Sequence, residues 1–130
     1  MVSVVVSIGE QFARAFAAKD AALLRELLAP DVDFRALTPN KFWEATSSSE
    51  VVDDVILGHW LEPTDHIDAL ESVDQDVIVD RERVGYRLRG TNDDGPFVLE
   101  QQAYFTVTDG RIAWLRIMCS GFRDPGANEL

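Results

Sequence analysis

The chain has 130 residues, 46% of them hydrophobic and 27% charged, which suits one domain with its own core and excludes a disordered chain. Twelve basic residues against 23 acidic ones give a net charge of −11; that argues against nucleic acid and anionic membrane as partners, since both select Lys/Arg patches. Cys119 is the only cysteine, so no internal disulfide is expected and a reducing cytoplasm is the expected compartment.

In chain order, residues 2–8 are apolar but lack a basic flank or cleavage site, and are not read as a signal peptide. No apolar run approaches the roughly 18 residues of a spanning helix. Ser7 and Glu10 have capping-box spacing, and behind them Ile8, Phe12, Ala15 and Phe16 share one helical face. Asp20 caps a second short helix with a Leu23, Leu24, Leu27, Leu28 stripe, ended by Ala29-Pro30. A short strand follows over 32–37, then a turn at Thr38-Pro39-Asn40. Residues 41–46, with Phe42 and Trp43, read as a loop or a short helical turn. Ser47 and Glu50 form a second capping box that opens a helix with Val51, Val52, Val55, Ile56 and Trp60 on its apolar face. Residues 66–79 read as a strand, with a turn at Asp80-Arg81-Glu82. Residues 84–89 alternate apolar residues with Arg, and 91–96 form a loop.

Residues 97–122 are two long runs of β-formers broken once, at Asp109-Gly110, a strong hairpin signal. A two-residue turn would put Ile112, Trp114 and Arg116 on the face of Ala103 and Phe105. A three-residue loop with a bulge at Gly110 would put Ala113, Leu115, Ile117 and Cys119 there and leave Arg116 outside. The second is expected, because it avoids burying an unpaired guanidinium. Helices come first and strands after, so the fold class is α+β: three N-terminal helices packed as a cone on a strongly curved, mainly antiparallel sheet that encloses a pocket. Residues 1–130 form one domain, with 124–130 as a frayed tail.

This order, with Phe105, Val107, Asp109, Gly110 and Ile112 near the end, resembles the nuclear transport factor two-like superfamily. That superfamily holds SnoaL-like polyketide cyclases, ketosteroid isomerases, limonene epoxide hydrolases and scytalone dehydratases. Locally, Lys41-Phe42-Trp43-Glu44-Ala45, Glu50, Thr64-Asp65-His66, Gly85-Tyr86 and Asp109-Gly110 are similar to the scytalone dehydratases. The resemblance puts that family's first histidine on His66 and its substrate-binding amide on Gln101. It puts the two water-holding tyrosines on Phe16 and Phe34 and the acid beside the first on Ala17. The second histidine has no counterpart, Asp93 being nearest. The ketosteroid isomerase tyrosine, base and acid fall on Phe12, Ala36 and Ala103. The epoxide hydrolase Arg and two Asp fall on Arg83, Gly85 and Ile117. Neither of these two activities is expected.

The function expected is a small-molecule pocket protein for an apolar carbonyl or phenolic compound: either a dehydratase, cyclase or isomerase, or a non-catalytic binding or oligomerising accessory domain. His66 is the acid/base candidate by its ordinary pKa near neutrality, set against a solvated histidine between Asp65 and Asp68. Gln101 and Tyr86 are the oxyanion-donor candidates. Gln101 is equally a buried amide partnered by a neighbouring side chain, and Tyr86 is more readily a core tyrosine bonded to protein. Cys119 is read as a buried thiol facing the cavity. The walls expected are Phe12, Phe16, Phe34, Trp43, Val55, Trp60, Ala103, Leu115 and Ile117 with Tyr86, Gln101 and Cys119. No cofactor is implied, and no metal site, since His59 and His66 lie seven apart without a pairing motif. The outer sheet face would carry Tyr104, Trp114 and Met118 among Arg87, Glu100, Gln102 and Arg116, which implies a homo-oligomer, a dimer or else a trimer.

Overall fold

The computed structural model describes residues 6–126, so residues 2–5 of the apolar N-terminal stretch and residues 127–130 of the expected tail lie outside the described residues. The elements are helix α1 (Ile8–Ala17), α2 (Ala21–Leu27), strands β1 (Leu28–Thr38) and β2 (Lys41–Ala45), helix α3 (Glu50–Trp60), then β3 (His66–Ile78), β4 (Arg81–Asn92), β5 (Gly95–Thr108) and β6 (Arg111–Cys119). Three helices pack on one six-stranded, curved, mostly antiparallel sheet, an α+β fold.

The helix starts are local chemistry. Ser7 Oγ accepts from Glu10 N at 3.2 Å, Asp20 Oδ1 from Leu23 N at 3.1 Å, and Ser47 Oγ from Glu50 N at 3.1 Å. Glu50 Oε1 answers by accepting from Ser47 Oγ at 3.2 Å and, one residue before the position a full capping box uses, from Thr46 N at 3.4 Å. The third helix is wider than its sequence implies: it is π-helical, and Leu61 N donates to Ile56 O five residues back at 2.8 Å. Gly58 permits this, since a Cβ there would stand 2.5 Å from Asp53 O.

The strand order is β2-β1-β6-β5-β4-β3, every pairing antiparallel except β1 with β6. Four sequence expectations are corrected, the first being residues 91–96: instead of a loop they carry the ends of β4 and β5, joined by a two-residue turn at Asp93-Asp94. Residues 41–45 are strand β2, paired with β1 through Ala36 and Trp43, because Phe42, Trp43 and the β1 end form a two-residue hairpin at Pro39-Asn40. Leu28 opens β1 instead of closing α2, so the strand is four residues longer than the 32–37 reading at its start. The turn before β4 is at Val79-Asp80, not at Asp80-Arg81-Glu82.

The long hairpin reaches the expected facing by a different route. Asp109 and Gly110 make a two-residue turn with φ of 53° and 79°, flanked by the Thr108–Arg111 pair. The bulge comes later: Val107 pairs with Ile112 and Thr106 with Trp114, leaving Ala113 as the extra residue. Ile112, not Ala113, is therefore buried on the inner side. Beyond the bulge Leu115, Ile117 and Cys119 stand opposite Phe105, Ala103 and Gln101. Arg116 is outside, bonded to Asp33 O at 2.9 Å and paired with the Asp33 carboxylate at 3.2 Å.

The core lies between the helices and the concave face, where Phe12, Phe16, Leu24, Phe34, Val52, Ile56, Leu88, Phe105 and Leu115 are buried. No helix among the described residues is long and apolar enough to cross a membrane.

Candidate functional site

One cavity of about 470 Å³ opens between the concave face and the C-terminal end of α3. Trp43 of β2 and His59 and Trp60 of α3 form one wall. Leu99 and Gln101 of β5 and Cys119 of β6 form the floor, and Thr38, Pro39 and residues 120–123 close the rim. Its volume is in the range of small-ligand sites, about 300–1,000 Å³.

The polar groups are few and coupled. Gln101 is 1% exposed. Tyr86, behind it on β4, donates its hydroxyl to Gln101 Oε1 at 2.5 Å. That leaves Gln101 Nε2, a donor, without a partner. The indole Nε1 of Trp60, on the opposite wall, is also a buried donor without a partner. Buried polar groups are nearly always paired, and an unpaired one costs about 1–3 kcal/mol. Two in the lining of one cavity make it the chemically unfinished part of the fold.

Cys119 lies beside Gln101 and opposite it in the ladder. Burial pushes its thiol up, offset in part by the Gln101 side chain and by Gly121 N, which donates to Sγ at 3.3 Å. Nε2 of Gln101 nevertheless makes no hydrogen bond of good geometry, to Sγ or to any other atom. Burial also raises the Tyr86 phenol well above its ordinary value, and the adjacent Cys119 adds to this. Both groups are neutral at physiological pH, so Cys119 is not an activated nucleophile.

The sequence spacing of His59 and His66 speaks only against a metal pair, and the structure gives His59 a place of its own. Its Nδ1 donates to Asp54 O at 2.5 Å, its ring lies 5.4 Å from the Trp43 ring, and it lines the cavity. With Nδ1–H fixed on a carbonyl, Nε2 is the nitrogen left to accept. The π-helical register carries His59 there; regular α-helical periodicity gives no sign of it, and Gly58 is the only local trace.

The sequence candidates separate into three groups. Trp43, Trp60, Gln101 and Cys119 line the cavity. Phe12, Phe16, Phe34, Val55, Tyr86, Ala103, Leu115 and Ile117 do not: they are buried core beneath the helices. The physical reason is filling. Phe16 lies 6.4 Å from Phe12, 5.7 Å from Tyr86 and 6.4 Å from Trp60, and Phe34 lies 6.0 Å from Trp60, so the deep part of the hollow is solid. His66 forms the third group alone. It is exposed at the start of edge strand β3 and does not line the cavity. Side chains alternate there, and its neighbour Asp65 takes the inward position, accepting from Glu62 N at 2.9 Å and Asn92 Nδ2 at 3.1 Å.

Residues 9–115 match the SnoaL-like domain, and the chain belongs to that family. None of the curated proteins matches it in sequence. Among solved structures it is similar to a protein assigned as an isomerase from Rhodopseudomonas palustris, with 14% identity, a TM-score of 0.67, and coverage of 91% of this chain and 93% of that one. It is similar to a protein assigned as a polyketide cyclase from Pseudomonas putida, with 16% identity, a TM-score of 0.65, and coverage of 85% and 86%. A protein from the de novo design of diverse pocket structures is 24% identical, with a TM-score of 0.61 and coverage of 86% and 95%. At these identities the likeness is one of fold.

Proposed function

We propose that this chain is a small-molecule pocket protein whose ligand is mostly apolar and carries a carbonyl or phenolic oxygen. The observation that supports it best is the 470 Å³ cavity with the unpaired Gln101 amide in its lining. Trp43, Trp60 and Leu99 supply apolar surface, and a ligand oxygen would accept from the amide that Tyr86 holds in orientation. Binding to the native state raises the melting temperature by mass action. Flat aryl ketones and phenols should therefore stabilise the protein, and Gln101→Leu should reduce the effect for those that accept a hydrogen bond. No shift with any such compound would remove this reading.

A second reading is an isomerase- or cyclase-type enzyme, and His59 favours it: its Nε2 is the free basic atom of the lining. Under that reading His59→Ala still binds ligand but no longer turns it over. Under the binding reading it changes affinity alone.

The outer sheet face supports association. Leu37, Phe42 and Met118 are 47%, 51% and 57% exposed, and with Tyr104, Arg35 and Arg116 they line a groove of about 330 Å³. We propose a homodimer through this face. Light scattering at micromolar concentration should give twice 14.5 kDa, and Phe42→Asp should return it to the monomer mass; wild type at the monomer mass would end the idea.

A further inference from the structure

The cavity carries no carboxylate. In a chain with 23 acidic and 12 basic residues, not one Asp or Glu lines it. Its polar lining is instead rich in donors. Gln101 Nε2 and Trp60 Nε1 are buried and unpaired, and Arg123 stands at the rim and makes no ion pair among the described residues. The acids gather next door. Glu62, Asp65, Asp93 and Asp94 line a separate hollow, divided from the cavity by His59 and Phe122, which border both. Asp65 is spent on Glu62 N and Asn92.

Two unpaired N–H donors and a guanidinium without an ion pair among the described residues, with no carboxylate in the lining to compete, describe a receptor for concentrated negative charge. A neutral carbonyl would satisfy one donor well. A carboxylate has two oxygens and about four acceptor sites, enough for Gln101, Trp60 and Arg123 together. The Trp43 ring and the Leu99 side chain fit the other end of the molecule, which must be apolar.

We infer that the cavity takes an apolar carboxylate, with the acid group turned toward Gln101, Trp60 and Arg123. This rests on the pocket reading above and narrows it from oxygen-bearing compounds to anionic ones.

The test uses the full chain, 15N-labelled, with three probes of one shape: 2-naphthoate, the neutral 2-acetonaphthone and the cationic 2-naphthylmethylammonium. The Trp60 indole N–H and Gln101 side-chain amide signals are followed by NMR titration. We expect 2-naphthoate to move both signals and to bind about tenfold tighter than the ketone, since charge-assisted bonds are the stronger kind. Arg123→Gln, at an exposed position, should fold normally, reduce naphthoate affinity several-fold and leave the ketone unchanged. If the ketone binds as tightly as naphthoate, or the ammonium binds tightest, the carboxylate inference falls while the pocket reading stands. If no probe moves either signal at millimolar concentration, both fall. Equal loss for ketone and naphthoate in Arg123→Gln would also overturn it.

Discussion

The two ends of the concave face are built from the same kinds of residue and come to opposite results. At the closed end the aromatics Phe12 and Phe16 of α1 and Phe34 of β1 are sealed, each 1% exposed or less. Beyond Trp60, Trp43 is only half-buried: it lies 6.0 and 5.4 Å from the Trp60 and His59 rings, Lys41 Nζ stands 4.1 Å over its own ring, and its indole N–H is tied to Thr38 Oγ1 at 2.8 Å. At the closed end two helices stand over the long middle of the sheet, and every inward side chain meets another. At the open end β1 stops at Thr38, β6 at Cys119 and α3 at Trp60, so the aromatics there border the cavity. An apolar residue is core or pocket according to how far the elements opposite it extend, and not according to its type.

The largest test of that contrast is truncation on each side. Phe16→Ala should cost about 3–5 kcal/mol, the usual range for a buried Phe, read by urea unfolding. Trp43→Ala should cost well under half of that, because much of its surface already faces the cavity. Equal losses would mean that the open end is packed as tightly as the closed one.

The Tyr86–Gln101 pair joins the two ends. Tyr86→Phe removes the donor to Gln101 Oε1 and should destabilise by about 1–3 kcal/mol, the cost of an orphaned buried acceptor. Adding Gln101→Leu should recover part of that loss, so a double-mutant cycle should show a coupling. Additive losses would mean that the two side chains act independently.

Smaller effects are expected from titration. Cys119 and Tyr86 both have folded pKa values raised by burial. A raised folded pKa means that the contribution is complete below the unfolded value and is lost as pH climbs, from about 8.5 upward for the thiol. On the acid side Glu71 is held low, first by its hydrogen bond from Arg87. Its contribution is lost as pH falls below the ordinary carboxylate value. Stability measured against pH should thus be flat near neutrality and decline on both sides, and a maximum above pH 9 would contradict it. The smallest signal is kinetic: iodoacetamide at pH 7.5 should alkylate Cys119 several-fold more slowly than a free cysteine, because little thiolate is present. A faster rate would mean that the floor of the cavity is wet and electropositive.

Much of this was legible in the sequence. Capping boxes placed two helix starts, the Asp109-Gly110 signal placed the hairpin, and the wish to keep Arg116 out of the hollow gave the right facing for Leu115, Ile117 and Cys119. What was not legible depends on distant partners. The bulge at Ala113 cannot be told from one at Gly110 by local pattern, since both deliver the same facing further on. Trp43 became a strand residue only because β1 lies beside it. His66 drew attention by its intrinsic chemistry, yet one step of alternation put Asp65 inward in its place. His59 reached the cavity through a π-helical register that its own spacing does not announce. The unpaired donors of Trp60 and Gln101 are visible only once everything around them is in place.

The parallel pairing of β1 with β6 has a consequence for how the chain comes together. Residues 28–38 find their partner in residues 111–119, across nearly the whole length of the sequence. Until the last strand leaves the ribosome, β1 and β2 form a lone hairpin, which is at best marginal in water, with an unpaired edge. Closing such distant contacts is slow, because the loop entropy is lost before any contact repays it. A nascent chain stalled after residue 110 would hold two separated half-sheets, β1–β2 and β3–β5, each with the edge that β6 covers left open, a species prone to capture by chaperones or to aggregation.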